Sequence, residues 1–312
     1  MSLATTEYPV VVVIPTFRRI AMLATLVEGL APQARVAGAL IIIGDNACEE
    51  SVADFVRDCA SDCAIAYLAV PARGISQVRN ALVSEALRLA PDWQWLLMLD
   101  DDGQVTPGWL DTMLQCARQR GGDLLGGPVI GALPAGSSRL ARNSVFAQRK
   151  QSATGPVTLL QGAQNLAINR DLLKRLPLPP FENRLGASGG EDYDLFRRVT
   201  HAGGRLIWCE EAVVLEPPPA ERLTTRALLF RYYSTGIYMA AIDAGYDGWP
   251  RGIALMLRGL ATSALACVVL GFTGRLDRAA HALLMTAHYA GRFAGILGMR
   301  SSRYVKKEDS GA

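Results

Sequence analysis

Three consecutive aspartates, Asp100–Asp102, directly follow the apolar run LLML at 96–99. Adjacent carboxylates repel one another, so a hard divalent cation that offsets their charge accounts for the cluster better than solvent does. Magnesium or manganese would supply that charge. The alternative is a solvated acidic turn that caps the helix near Pro107. Because the aspartates come directly after a run typical of a buried strand, we favour the metal site.

A second acidic segment, GGEDYDLFRRV at 189–199, has the pattern of a helix start. On a helix, Leu195 and Phe196 lie three and four residues beyond Asp192, so Asp192 shares the apolar face that points inward. The alternative is that Glu191 and Asp192 only complement the positive end of the helix dipole. A carboxylate aligned with a buried face favours a catalytic role for Asp192, because an ionised aspartate can accept a proton.

Several common catalytic centres are missing. The three histidines stand at 201, 281 and 288, so a Ser-His-Asp triad or a histidine-rich metal site is nearly excluded in residues 1–200. Neither G-x-G-x-x-G nor G-x-x-x-x-G-K-[ST] occurs, and the six scattered cysteines are expected to be reduced thiols without a zinc site. Acids must therefore carry the chemistry, and arginines such as Arg73 and Arg79 are candidates to meet phosphate oxygens.

Apolar strands and helical stretches alternate through the first hundred residues. In chain order we predict a strand at 9–15, a helix to about residue 30, a strand ending on Asp45, a helix near 49–58, a strand at 64–70, a helix near 75–89 and a strand at 93–100. This alternation predicts an α/β fold with βαβ crossovers and a mostly parallel sheet. Ligands bind outside the carboxyl ends of such strands, so Thr16, Asp45 and Asp100–Asp102 should converge at one edge.

The pattern is weaker beyond residue 120. After a Gly/Pro/Ser-rich stretch at 121–138 we predict short strands around 143–147 and 157–160, followed by the helix that contains Asp192. The proline-rich segment EPPPAER at 216–222 ends the α/β pattern. We therefore predict two regions, 1–220 and 221–312.

The C-terminal region is apolar and basic. Residues 251–307 contain nine Arg/Lys and a single acid, Asp277. Two stretches of 21 residues, 252–272 and 279–299, contain Arg258 and Arg292 respectively. An arginine near the bilayer centre costs about 2.5–3.5 kcal/mol, so the second stretch is a poor membrane span and the first is a marginal one. We favour a helical hairpin lying in a membrane interface; the alternative is a pair of core helices packed on the sheet or on a second subunit.

Six motifs occur in a specific order: VVVIPTFRR at 11–19, IIIGDN at 41–46, GISQVRNAL at 74–82, LMLDDD at 97–102, GAQNLAINRDLL at 162–173 and GGEDYDLFRRV at 189–199. Over roughly residues 9–236 the chain resembles family 2 glycosyltransferases of the GT-A fold. It is most similar to bacterial members that extend lipid-linked exopolysaccharide repeat units. The resemblance implies a Rossmann-like GT-A domain in 1–220 that binds a nucleotide sugar, and a helical, membrane-associated region in 221–312.

The resemblance also implies roles for individual residues. Asp192 matches the family's catalytic base. The metal would be held by Asp102, Asp100 and Glu216, the last standing where many relatives have a histidine. The nucleotide sugar would be bound by Pro15, Thr16, Arg18, Asp45, Arg73, Arg79, Asp100, Asp101, Asn165, Glu191, Arg222 and Arg231. The Q-x-x-R-W motif of processive relatives is absent, which favours addition of one sugar.

The resemblance and these residues together predict an inverting transferase that uses Mn²⁺ or Mg²⁺ and moves one sugar; the resemblance implies a UDP-sugar as donor and a lipid-linked or glycan acceptor. We expect it at the cytoplasmic face of the inner membrane, peripheral or monotopic, without a nucleic-acid partner; a homo-oligomer is left open. Two alternatives remain. A nucleotidyltransferase that makes nucleotide sugars would need a glycine-rich phosphate loop, and a non-catalytic partner in an assembly complex would show no metal-dependent donor turnover.

Overall fold

The computed structural model describes residues 8–147, 149, 151–247 and 249–302. The chain divides into two compact units. The first unit comprises Met1–Val129, Lys150–Gly186 and Glu191–Glu216, and the second comprises Ile130–Arg149, Ala187–Gly190 and Pro217–Ala312. Each unit has its own arrangement of helices and strands.

Within the described residues the strands are β1 Val10–Thr16, β2 Leu40–Asp45, β3 Ile65–Ala69, β4 Trp95–Leu99, β5 Gln104–Val105, β6 Leu124–Gly126, β7 Val129–Gly131, β8 Gly155–Val157, β9 Asn165–Asn169, β10 Leu206–Trp208 and β11 Val214–Glu216. The helices are α1 Ile20–Ala37, α2 Glu50–Cys59, α3 Ile75–Leu89, α4 Trp109–Arg120, α5 Arg139–Arg142, α6 Arg170–Leu173, α7 Glu191–His201, α8 Thr225–Asp247, α9 Trp249–Phe272 and α10 Leu276–Ile296.

The main sheet has eight strands in the order β3-β2-β1-β4-β9-β6-β10-β8. Strands β3, β2, β1 and β4 are parallel neighbours, and β6 pairs in parallel with β10. Strands β9 and β8 run antiparallel to the strands beside them. The sheet is therefore mostly parallel, as the sequence predicts. Strand β11 pairs antiparallel with β5 in a second, three-stranded sheet.

Burial on both faces explains the continuous apolar runs of the central strands. Along β1, Val12 and Ile14 belong to one hydrophobic cluster and Val11 and Val13 to the other. The first cluster includes buried residues of α1 and α4, and the second includes buried residues of α3 and α7. A strand between two layers of helices has no solvent face, so no polar residue interrupts it.

Two differences from the sequence prediction concern the later elements. A strand at 143–147 is wrong: Ser138 caps the short helix α5, with its Oγ 3.2 Å from the amide of Ala141, and turns follow it. The prediction also missed β9, which lies between β4 and β6. Its sequence NLAIN is short, and its antiparallel partners are distant in the chain. Helix α8 lies in the region 221–312 that the sequence predicts to be helical, although no separate bounds were predicted for it.

In the second unit, α10 packs against α8 and α9 through glycines. A Cβ added to Gly291 would lie 1.9 Å from the carbonyl oxygen of Tyr233, and one added to Gly236 would lie 2.0 Å from that of His288. The backbones of α8 and α10 therefore approach more closely than any larger side chain permits. A small cluster that includes Phe146, Leu228 and Leu284 completes this packing. Among the helices that the structure describes, none is sufficiently long and apolar to cross a membrane.

Candidate active site

Polar side chains meet at the carboxyl edge of the parallel strands. Thr16 ends β1 beside Asp45, which ends β2, and Asp100 directly follows β4. The Thr16 hydroxyl donates to Oδ2 of Asp101 at 2.8 Å. Thr16 and Asp101 are both buried. The structure thus brings together groups from separate strands at the edge where the sequence predicts a site.

An arginine at the start of α1 neutralises part of the aspartate cluster. Nη1 of Arg19 lies 3.1 Å from Oδ1 of Asp101 and 3.2 Å from Oδ2 of Asp102. The neighbouring Arg18, which the resemblance implies as a donor contact, is exposed, has a φ of 55° and lies 5.2 Å from the ring centroid of Phe17. The pair of arginines in TFRR was the available signal, but only the backbone turn decides which one reaches the acids.

Arg79 joins the two acidic segments. Its guanidinium, on α3, is buried; Nη2 donates to Oδ1 of Asp100 at 2.8 Å, and Nη1 donates to Oε1 of Glu191. Asp100 follows β4 and Glu191 begins α7, so one cation ties together segments that are far apart in the chain. We call Asp100, Asp101, Asp102 and Glu191 the acidic cluster.

The first turn of α7 presents its acids in different ways. Glu191 is buried, whereas Asp192 is half-buried and its Oδ1 lies 2.7 Å from the amide nitrogen of Tyr193. Asp194 accepts from Nε of Arg198 at 2.8 Å. Glu191 is thus buried in contact with Arg79, whereas Asp192 is partly accessible to solvent.

Burial raises the pKa values of several of these acids. Desolvation raises the pKa of Glu191 to about 7 and that of Asp101 to about 6, although Arg79 and Arg19 oppose these shifts. Desolvation likewise raises the pKa of Asp100, and Arg79 again opposes it while the charges of Asp102 and Glu216 add to it. A raised pKa disfavours the charged form of a carboxyl group, and a divalent cation bound beside these groups would favour that form again.

The residues present fit a hard divalent cation in their chemistry. Glu216 ends β11 in a buried position, and its charge acts on Asp100, so carboxylate oxygens from two parts of the chain are near one another. Within the described residues, no group of three His, Cys, Asp or Glu side chains has a metal-binding arrangement. Magnesium in phosphate-binding sites commonly takes one or two protein carboxylates and fills its remaining positions with substrate phosphates and water.

The end of β2 is held by its own loop. Asp45 is fully buried; its carboxylate accepts from the amides of Ala47 at 2.8 Å and Glu49 at 2.6 Å and from the Tyr67 hydroxyl at 3.2 Å. Desolvation, with the nearby charge of Asp45, raises the pKa of Tyr67 to about 12. Asp45 therefore fixes the turn that leads into α2. Its predicted contact with a nucleoside stays a prediction.

Arg73 and Phe17 contact each other beside the residues that follow β1 and β2. Nη1 of Arg73 donates to the carbonyl of Asn46, and the guanidinium lies 4.8 Å from the ring centroid of Phe17. Phe17 thus contacts two guanidiniums, those of Arg73 and Arg18. Pro15 is buried within β1. Phe17 is not among the residues that the sequence predicts for the site, although it stands between Thr16 and Arg18, which are.

The remaining predicted residues are Asn165, Arg222 and Arg231. The buried amide of Asn165 accepts from Nε1 of Trp109 at 3.0 Å and donates to the carbonyls of Pro128 and Ala212, so it links four segments of the first unit. Two of the predicted arginines belong to the second unit: Arg222 lies in a 3₁₀ turn, and Arg231 lies on α8 with its guanidinium 4.7 Å from the ring centroid of Phe146. Their predicted contacts with the nucleotide sugar stay predictions.

Known proteins resemble the chain over most of its length. It is 29% identical over 286 residues to the succinoglycan biosynthesis protein ExoM of Rhizobium meliloti (strain 1021), covering 87% of each chain. The mannosyltransferase PcManGT of Pyrobaculum calidifontis, solved with GDP-Man and Mn²⁺, superposes with a TM-score of 0.61 at 15% identity, covering 94% of this chain and 88% of that one. TarS 1–349 of S. aureus, solved with UDP, gives 0.53 at 14% identity, covering 93% and 92%.

The two solved structures show that the fold is GT-A-like. The family model described as "Glycosyltransferase like family 2" matches residues 8–235, which include β1 to β11, α1 to α7 and all of the acidic cluster. Together these matches show that the chain belongs to glycosyltransferase family 2.

Proposed function

We propose that this glycosyltransferase moves a single sugar, with inversion, from a UDP-sugar to a lipid-linked or glycan acceptor in exopolysaccharide biosynthesis. The observation that supports the proposal is the bridge from Asp100 through Arg79 to Glu191, because Glu191 is the residue directly before Asp192 in α7. The resemblance to ExoM, which is named for succinoglycan biosynthesis, supports the polysaccharide context. The similar structures solved with UDP and with GDP-Man support a nucleotide donor.

In the proposed reaction, Asp192 accepts the proton of the acceptor hydroxyl while that oxygen attacks the anomeric carbon from the side opposite the diphosphate. The new glycosidic C–O bond forms as the bond from the anomeric carbon to the diphosphate oxygen breaks, and the nucleoside diphosphate leaves with the electron pair. Arg79 fixes Asp100 and Glu191, and Arg19 fixes Asp101 and Asp102, so the acids are oriented before substrate binds.

Asp102, Asp100 and Glu216 would hold Mn²⁺ or Mg²⁺ together with the diphosphate. When bound, that cation supplies positive charge to the departing phosphate oxygens. We assign donor contacts to Thr16, Asp101 and the arginines of the carboxyl edge. Residues 1–220 would carry donor binding and catalysis, and the helical region at 221–312 would hold the enzyme at the inner face of a membrane.

A panel of nucleotide sugars tests the proposal. Melting of the full chain is followed with UDP- and GDP-sugars in Mn²⁺ and again after chelation. At a ligand concentration of 100 times Kd, binding stabilises the folded protein by about 2.7 kcal/mol. We expect one donor class to raise the Tm with the metal and to lose that effect with chelator, and the same donor to release nucleoside diphosphate when acceptor is added. Release of pyrophosphate from a nucleoside triphosphate and a sugar phosphate would identify a nucleotidyltransferase instead.

A further inference from the structure

Helix α9 has an exposed apolar side. The large side chains Leu257, Leu265, Val268, Val269 and Phe272 are all exposed, with Phe272 reaching 88%. At 3.6 residues per turn these positions and Arg258 fall within a sector of roughly 120°. We call these six residues the outer face of α9. No Asp or Glu occurs anywhere in the sequence of this helix.

The opposite side of α9 is covered by α10. Met256 and Ser263 are buried there, and a Cβ added to Gly259 would lie 2.3 Å from the ring of Tyr289. The helix therefore already has a packing partner on one side. Within the described residues, the second unit leaves the outer face to solvent.

Positive charge surrounds the end of the outer face. The turn after Phe272 contains Gly274 at φ 73° and leads into α10, where Leu276 is exposed. Arg275 directly precedes α10, and Arg278 and the acid Asp277 lie in its first turn; all three are exposed, and Asp277 lies 3.9 Å from Nε of Arg139. An apolar strip without acids and with arginines at both ends complements a surface that is apolar inside and anionic outside.

A second copy of the chain fits this face less well. In a symmetric dimer the same patch meets itself, so an antiparallel contact would bring Arg258 of one copy towards Arg275 of the other. Helix α9 offers no carboxylate to pair with either arginine, and the nearby Asp277 already accepts from Nδ2 of Asn143 at 3.2 Å and lies 3.9 Å from Arg139. Like charges would then be buried together, which opposes association.

We propose that the outer face of α9 and the α9–α10 turn dock onto an anionic phospholipid bilayer, with α9 lying along the surface. Phe272, Leu265 and Leu276 enter the boundary between headgroups and acyl chains, while Arg258, Arg275 and Arg278 meet lipid phosphates. The inference rests on the membrane location given under Proposed function, but it requires neither donor binding nor sugar transfer.

Vesicle binding of the full chain tests the docking surface. Co-sedimentation is measured with phosphatidylcholine vesicles and with vesicles of phosphatidylcholine and phosphatidylglycerol at 3:1. We expect binding to the anionic vesicles that weakens with salt. Phe272→Glu should lower the partition coefficient by at least about tenfold, because it replaces an aromatic side chain inserted into the lipid with a charged one. Arg275→Glu combined with Arg278→Glu should lower it at least about tenfold on anionic vesicles.

Val36→Glu is the matched control. Val36 is 89% exposed near the end of α1 in the first unit, so it has the same exposure and a similar helix position as Phe272. It should bind vesicles as the parent does. Unchanged helicity and Tm in all variants would show that they fold, since every substituted side chain is exposed.

Three outcomes would overturn the inference. They are absence of binding to anionic vesicles, equal binding by Phe272→Glu and the parent, and a parent dimer that Phe272→Glu converts to a monomer without lipid, which would make the face a subunit contact. Donor-induced melting shifts measured on the same preparations separate this result from the proposed reaction. Vesicle binding without a donor-induced melting shift would contradict the proposed sugar transfer and would still support the proposed docking surface.

Discussion

A buried ion pair holds the sheet edge of the first unit together, whereas glycines let the helices of the second unit pack closely. Arg79 and Glu191 are almost inaccessible and neutralise each other inside the protein. In the second unit, Gly236 and Gly291 let α8 and α10 meet backbone to backbone. The first arrangement is sensitive to a change of charge at constant size, and the second to a change of size without any charge. Four predictions test this contrast.

The largest effect is expected from Asp192→Asn. Loss of the proton acceptor should lower kcat by about 10²–10⁴-fold. Donor affinity, read from the melting shift, should stay close to that of the parent, because the variant keeps the size of the side chain and leaves Arg79 and its partners in place. Asp58→Asn, an exposed acid on α2, is the control and should keep full activity. Equal loss of rate and donor affinity would show that Asp192 is a structural residue.

Arg79→Met should lower the free energy of unfolding by about 3–5 kcal/mol, because it leaves two carboxylates without their buried cation. Urea unfolding followed by tryptophan fluorescence reports this change. Arg57→Met is the matched control: Arg57 also pairs with an aspartate, at 2.7 Å, but it is exposed and should cost about 0–1 kcal/mol. Similar values for both variants would contradict the idea that burial makes the Arg79 bridge important.

Adding a methyl group at two glycines of the second unit should change the free energy of unfolding in opposite directions. Gly291→Ala should lower the free energy of unfolding by about 1–3 kcal/mol, since the added Cβ has no room beside the Tyr233 carbonyl. Gly245→Ala places the same methyl on α8 with no atom within 4 Å, so better helix propensity should stabilise the protein by about 0.5–1 kcal/mol. Both are measured from ellipticity at 222 nm during urea unfolding. Equal effects would mean that α8 and α10 are less closely packed.

The smallest effect is a difference in pH dependence between the units. The pKa of Glu191 is raised to about 7, so its contribution to stability is complete below about 4.5 and is lost as the pH rises through 7. Desolvation first, and then Arg292, lower the pKa of His288 to about 4, so its contribution is complete above about 6.5 and is lost as the pH falls through 4.

Relative to the parent, Glu191→Gln should therefore gain stability as the pH rises from 4.5 to 8. His288→Gln should gain relative stability as the pH falls from 7 to 4. Each change is expected to be on the order of 1–2 kcal/mol, measured as the free energy of unfolding in urea at several pH values. The same sign for both variants would remove this difference between the units.

The sequence predicts the first half of the sheet because each strand is an uninterrupted apolar run that ends in a polar residue. β1, β2 and β4 follow that pattern, and knowing that they are parallel was sufficient to place Thr16 near the aspartates. Strand β9 carries the same kind of apolar residues but pairs with partners that no local pattern identifies. Its insertion into the sheet therefore depends on long-range packing.

Side-chain direction limits what can be predicted of the site. The sequence indicates acids and arginines, but the choice of Arg19 over Arg18 follows from the positive φ of Arg18, which no spacing rule contains. Likewise, Asp192 and Glu191 were both placed at the start of α7, yet only the packing around Arg79 buries Glu191 and leaves Asp192 more accessible. The residue types of the site can be read from the sequence, whereas contacts between distant segments decide which acid is buried and which arginine contacts the aspartates.

The bridge through Arg79 also has a consequence for the order of events during synthesis. A ribosome has to add the 112 residues that separate Arg79 from Glu191 before both ends of this contact exist. A nascent chain that stops after α3 would hold the guanidinium without either acid, and one that stops after β4 would hold it with Asp100 alone. The bridge therefore closes late in translation, when α7 emerges, and truncated products that end before α7 cannot complete it.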